Sequence, residues 1–212
     1  MSPTHQAAQP AYWSDACAAL CEADPVLAEL IARYPNAHLR SRGEPFVTLV
    51  RAIVGQQIST RAADAVWGRL LAAVPALTPT ALLAAPDTAL RAAGLSGRKV
   101  EYARDLARHF ADGLLDADSF ARMDDQALID ALVAVRGIGR WSAEMFLIFN
   151  QLRADVWPVD DIGLQRAVGR HYLDGENPTP KALRQFGQRF APWRTVATWY
   201  LWRSLDPETV LY

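Results

Sequence analysis

The sequence predicts an all-α protein. Three observations carry this: apolar residues recur three and four positions apart, capping residues stand just before prolines or apolar runs, and no stretch keeps the period-2 pattern of a half-buried strand. Joints are short and no low-complexity tract interrupts them, so about ten helices are expected in a compact body.

Residues 13–23 (WSDACAALCEA) read as the first helix. Asp24 before Pro25 is a cap followed by the proline that a first helical turn tolerates, opening a second helix over about 25–33. Residues 34–44 are loop, and Pro45 begins FVTLVRAIVGQQ, with its apolar face at Phe46, Leu49, Val50, Ile53 and Val54. Ser59 or its neighbour caps a helix from Thr60 to Val74, expected to pack through Ala63, Val66, Leu70 and Leu71. Short helices follow near 79–84 and 87–93, introduced by Thr78-Pro79 and Pro86, and Gly94 and Gly97 break the chain before an amphipathic run from Arg98 to Phe110. Met123 and Leu128 bracket Asp124 as a hydrophobic staple would, starting DDQALIDALVAV. After a loop at 151–159, Asp160 or Asp161 opens a helix through Arg170, Thr179-Pro180 starts another, and Pro192 heads WRTVATWYLWRSL.

Composition removes whole classes of function. Of 212 residues, 51% are apolar, and 22 Lys and Arg face 23 Asp and Glu, too apolar and too near neutral for a disordered chain. The longest apolar runs, such as Met145–Phe149, fall far short of a bilayer span, and residues 1–10 do not read as a signal peptide, so a cytoplasmic protein is expected. Cys17 and Cys21 are the only cysteines, and His5, His38, His109 and His171 are scattered, so no metal-ligand spacing is visible. A net charge of -1 argues against a DNA-coating protein and leaves open a nucleic-acid enzyme that uses a local patch.

The sharpest local signal is Val133-Ala134-Val135-Arg136-Gly137-Ile138-Gly139-Arg140-Trp141-Ser142-Ala143. Two glycines two apart release the backbone for a tight turn, Ile138 can plug its interior, and the exposed N–H groups of the following helix form an anion site flanked by Arg136 and Arg140. Many ordinary helix joints also contain such a turn. Likewise, Asp160 and Asp161 fit a plain helix N-terminus, where the dipole favours acids, with Arg166 to compensate one of them.

Taken with IVGQQISTRAA (53–63), DVWPVDDIGLQRAVG (155–169) and APWRTVATWYLWR (191–203), the segment LVAVRGIGRWSAEMF resembles the helix–hairpin–helix superfamily of DNA glycosylases. The likeness is strongest to its alkylbase branch, the 3-methyladenine DNA glycosylase II family, and runs from about residue 45 to the end in the family's order. It implies a two-lobed helical bundle with a helix–hairpin–helix motif at 133–145 and an active-site cleft between lobes. The lobes would be about 45–130 and 131–212, with 1–44 packing on the body, in the compact form without an N-terminal β domain.

The resemblance also implies roles. Asp161 takes the catalytic position with Asp160 as its structural neighbour, and Trp141 and Trp193 line the base pocket. Met145 and Ile162 stand where the family has pocket aromatics, which thins that lining. Gln57 takes the wedge position beside Gln56; Arg136, Gly137, Gly139 and Arg140 meet a phosphate; Arg98 and Lys99 reach the opposite strand. The backbone carbonyls of Val133, Val135 and Ile138 would hold a structural monovalent cation, Na⁺ or K⁺, with no cofactor required for the chemistry. Lyase members carry a lysine in the hairpin where this chain has Trp141, and Lys99 and Lys181 are distant in sequence.

The expectation is a monomeric, monofunctional glycosylase that flips alkylated purines such as 3-methyladenine and 7-methylguanine out of double-stranded DNA and leaves an abasic site. A non-catalytic or weakly catalytic binder of damaged or distorted DNA stays open, as does a different base substrate on the same scaffold.

Overall fold

The computed structural model describes residues 9–35 and 37–205. Among them lie thirteen α-helices and no strand. They are α1 (Trp13–Ala23), α2 (Pro25–Arg33), α3 (Pro45–Gly55), α4 (Thr60–Ala73), α5 (Pro79–Ala84), α6 (Asp87–Ala92) and α7 (Gly97–Ala111). After these come α8 (Ala117–Phe120), α9 (Asp125–Val133), α10 (Arg140–Phe149), α11 (Ile162–Tyr172), α12 (Pro180–Phe186) and α13 (Arg194–Leu205), with a tight turn of helix over Gly187–Phe190.

Local chemistry sets most of the starts. Asp24 accepts the N–H groups of Val26 and Leu27, both at 3.0 Å, and Pro25 occupies the first helical position. Ser59, Thr78, Asp124 and Thr179 each accept a backbone N–H in the first turn of the helix they open. Each such cap contributes about 1 kcal/mol. One expected packing residue faces the other way: Leu71 is 37% exposed, because Val66 and Leu70 already carry the buried stripe of α4. α8 has no counterpart among the expected helices, being a single turn capped by Asp116.

The described residues divide into two compact units. A central unit comprises Arg42–Phe146; a terminal unit joins the residues up to Ser41 with those from Leu147 onward. The division therefore falls inside α10, whereas the sequence reading placed a boundary near 130 and grouped residues 1–44 separately. In the central unit a relay of edge-on phenyl rings runs from Phe46 to Phe110 (5.3 Å), Phe120 (6.1 Å) and Phe146 (5.7 Å), so α3, α7, α8 and α10 share one core. In the terminal unit Trp13 meets Trp199 edge-on at 5.5 Å, which ties α1 to α13. There the Tyr172 hydroxyl donates to Asp24 at 2.9 Å, and burial together with that carboxylate raises the phenol above its ordinary range.

Candidate functional site

In the central unit, α9 and α10 are joined by the glycine turn, and α7 braces it. The Arg136 N–H donates to Asp105 at 2.9 Å. Gly137 has φ +85°, and a Cβ there would stand 2.2 Å from the Tyr102 ring, so both backbone conformation and close approach demand glycine. Ile138 is 5% exposed and its N–H bonds the Val135 carbonyl at 3.1 Å, closing the turn on an apolar plug.

The C-terminal end of α3 is tied to the same turn. Gln56 donates through Nε2 to the Gly137 carbonyl at 2.8 Å, and Lys99 donates to the Val54 carbonyl at 2.8 Å. Burial lowers the Lys99 amine below its usual value. Just beyond these tethers Gln57 is exposed with φ +59°, a left-handed conformation that a side-chain-bearing residue adopts only when its surroundings impose it.

The structure thus brings together Gln56, Lys99, Arg136 and Gly137, with Gln57 beside them. Both flanking arginines already hold acids: Arg140 contacts Glu144 at 3.0 Å and Gln126 at 3.2 Å, and Arg136 lies 3.5 Å from Glu101. Arg98 and Gly139 are exposed. Trp141, in the first turn of α10, is 38% exposed, whereas Met145 one turn on is buried at 8%. Val133 is partly exposed and Val135 buried at the end of α9.

In the terminal unit the acidic pair resolves cleanly. Asp160 is exposed; Asp161 is 5% exposed and caps α11. Its Oδ1 accepts the Leu164 N–H at 2.6 Å and the Trp202 indole N–H at 2.8 Å. Trp202 in turn stacks on Phe149, with ring centroids 5.9 Å apart and planes 12° from parallel. At Gly163 a Cβ would come within 3.0 Å of Asp161 Oδ1 and 3.2 Å of Trp202, so the small residue keeps the pair in contact.

The loop before Asp161 is anchored along its length. Asp155 receives the Arg194 guanidinium at 2.7 Å, Val156 N–H donates to Thr195 Oγ1 at 2.9 Å, and the Trp157 indole donates to the Leu183 carbonyl at 2.8 Å. Trp193 is half-buried and stacked on Tyr12 at 6.0 Å, while Ile162 is 60% exposed. Sequence reasoning missed Tyr102, Asp105, Asp155 and Arg194. It read Trp202 as a core residue, and the ring is indeed buried, but its N–H serves Asp161.

Chemically, the hairpin presents helix-start N–H groups suited to a phosphate, and the terminal unit presents a fixed, buried carboxylate. The profile of the HhH-GPD superfamily of base excision DNA repair proteins matches residues 50–192. The chain is 34% identical over 185 residues to DNA-3-methyladenine glycosylase 1 of Schizosaccharomyces pombe, covering 84% of this chain and 80% of the relative. A crystal structure of DNA-3-methyladenine glycosidase from Bacillus halodurans is similar with TM-score 0.77 and 37% identity, covering 86% of this chain and 90% of that one. A Schizosaccharomyces pombe 3-methyladenine DNA glycosylase in complex with abasic DNA superposes with TM-score 0.78 at 29% identity, over 92% and 99% of the two chains.

Proposed function

The chain belongs to the HhH-GPD superfamily of base excision DNA repair proteins, in its 3-methyladenine DNA glycosylase II type, and from that we propose that it hydrolyses the N-glycosidic bond of alkylated purines in duplex DNA with Asp161 as the catalytic carboxylate. The observation that carries the residue assignment is the fixation of Asp161 Oδ1 by two N–H donors in a buried setting.

Loss of the base leaves positive charge on the sugar. A negative group held beside C1′, in surroundings from which water is largely excluded, stabilises that charge more in the transition state than in the substrate. Because Asp161 is 5% exposed, the nucleotide must come out of the helix to reach it. An alkylated purine is already cationic and leaves without prior protonation, so one carboxylate serves, orienting the attacking water as well. In the terminal unit, which also holds Asp161, the half-buried Trp193 supplies a face on which a cationic base can stack. Gln57, exposed and conformationally held, enters the space the base vacates, and the hairpin N–H groups grip the neighbouring phosphate.

We propose that the hairpin carbonyls of Val133, Val135 and Ile138 would hold a monovalent cation. They are neutral oxygen donors, and the one at Val135 keeps a second lone pair after accepting the Ile138 N–H. Such an ion would add positive charge at the phosphate grip. With Trp141 where a Schiff base would need an amine, the enzyme releases base without nicking the strand.

The test is release of free base from methylated duplex DNA by the wild type and by Asp161→Asn. Asparagine caps a helix as well as aspartate does, so the variant folds, and its rate is expected to fall by roughly 10²–10⁴. Undiminished excision by the variant removes Asp161 from the chemistry, and an adduct trapped by borohydride removes the monofunctional reading.

A further inference from the structure

Next to the hairpin the central unit contains a polar cavity of about 320 Å³ whose charged lining is Asp87, Arg91, Glu101, Arg104, Arg108 and Arg136. Four guanidinium groups face two carboxylates there. Arg104 is committed to structure: it donates to Asp87 at 2.8 Å and to the carbonyls of Leu83 at 2.9 Å and Ala85 at 2.6 Å, closing the end of α5. The others are held loosely. Arg136 and Glu101 are 3.5 Å apart with side chains 67% and 58% exposed, an ion pair worth little in water. Arg108 reaches only to 3.8 Å from Asp105, whose other oxygen accepts the Arg136 N–H. Arg91 makes no ion pair among the described residues. Once Arg104 and Asp87 cancel, Arg91, Arg108 and Arg136 face Glu101 in the lining and Asp105 beside it, three guanidinium groups against two carboxylates, and the cavity keeps a positive excess of one charge.

Its position says what that excess is for. Arg136 immediately precedes Gly137, and both are locked to α7, through Asp105 and Tyr102, the helix that supplies Arg104 and Arg108. The cavity and the phosphate-gripping turn are therefore parts of one rigid face. We propose that this cavity is a second phosphate site, taking phosphodiester groups of the DNA strand that runs on from the hairpin, with Arg91 and Arg108 as its principal cations and Arg136 exchanging Glu101 for phosphate. The proposal rests on the DNA-directed reading above, but on neither Asp161 nor the identity of the damaged base.

The experiment measures binding of the full chain to duplexes carrying one central abasic site, lengthened stepwise on either side, across a salt series. For the wild type, affinity should rise as the duplex grows on one side only. Arg91→Gln with Arg108→Gln should abolish that gain, weaken binding to the long duplex about tenfold, and reduce the slope of log K against log salt by about 1–2. Arg33→Gln, an exposed arginine of the terminal unit, serves as control and should match wild type. Both double-variant sites are surface positions, and a melting curve verifies folding.

Equal affinity and equal slope for the double variant at every length overturn the proposal and assign the cavity to another anion, such as free phosphate or an acidic peptide. An equal loss in the Arg33 control reduces the effect to bulk charge and overturns it as well. Failure of the wild type to release methylated bases would instead count against the proposed activity and leave the length dependence to be judged by itself.

Discussion

The indole N–H of Trp202 and the carboxylate of Asp161 are 2.8 Å apart, forty-one residues distant in sequence and both buried. The bond fixes the carboxyl group from a second element, so α13 shares with α11 the task of aiming it. Phe149, stacked on the indole, holds the donor in turn.

Trp202→Phe deletes the donor and keeps most of the ring. A hydrogen bond to a charged group is worth about 1.5–3 kcal/mol, so single-turnover base release is expected to drop roughly 10- to 100-fold. Affinity for abasic DNA should stay at the wild-type level. An unchanged rate would make the indole N–H irrelevant to catalysis.

Gly137→Ala places a Cβ into the Tyr102 ring at a positive φ. Overpacking and the left-handed backbone together should destabilise the protein by about 2–4 kcal/mol, read from urea unfolding. Pairing it with Tyr102→Ala should recover the packing share and leave the backbone share of about 1–2 kcal/mol, separating the two causes.

Gln56→Ala frees the Gly137 carbonyl from its side-chain donor, and Lys99→Met frees that of Val54. Each loses about 1 kcal/mol of bonding, little of it visible in global stability. The expected effect is on extrusion: a fluorescent base analogue opposite the lesion should report slower flipping, by several-fold in the double variant. Identical flipping rates would show that the tethers do not organise residue 57.

His171 makes stability pH-dependent. The single proton of Ser204 goes to the Leu201 carbonyl at 2.6 Å, so His171 Nε2 is the donor in its 2.8 Å contact with Ser204. Burial first, then Arg170, lowers this imidazole from its ordinary value of 6.5, with Glu29 opposing and Arg33 adding. The unfolded chain therefore binds the proton more readily, and stability falls as pH drops from 6.5 through the folded-state value. His171→Gln should flatten that part of the melting temperature profile; an unaltered profile would relocate the acid sensitivity elsewhere.

The capped starts were legible because capping is local chemistry: Asp24-Pro25, Thr78-Pro79 and Thr179-Pro180 announce their helices within three residues. The need for glycine at 137 was legible as a turn, but the Tyr102 ring that makes it absolute comes from a helix thirty-five residues earlier. Asp155 with Arg194, and Trp202 with Asp161, are likewise pairings across thirty-nine and forty-one residues, invisible to any periodicity. α8 escaped because one turn of helix leaves too few apolar repeats to register. Between Asp160 and Asp161 spacing could not choose; capping geometry distinguishes them, since only Asp161 turns inward to its own helix.

The tethers at the end of α3 fall on Val54 and Gln56 and spare the side chain of Gln57. On the proposed wedge role of Gln57, evolution can exchange that tip without rebuilding its mount, subject to one constraint: the replacement must tolerate a left-handed backbone, which disfavours valine, isoleucine and threonine. Divergence in how lineages interrogate a duplex has a cheap route here, through a single codon.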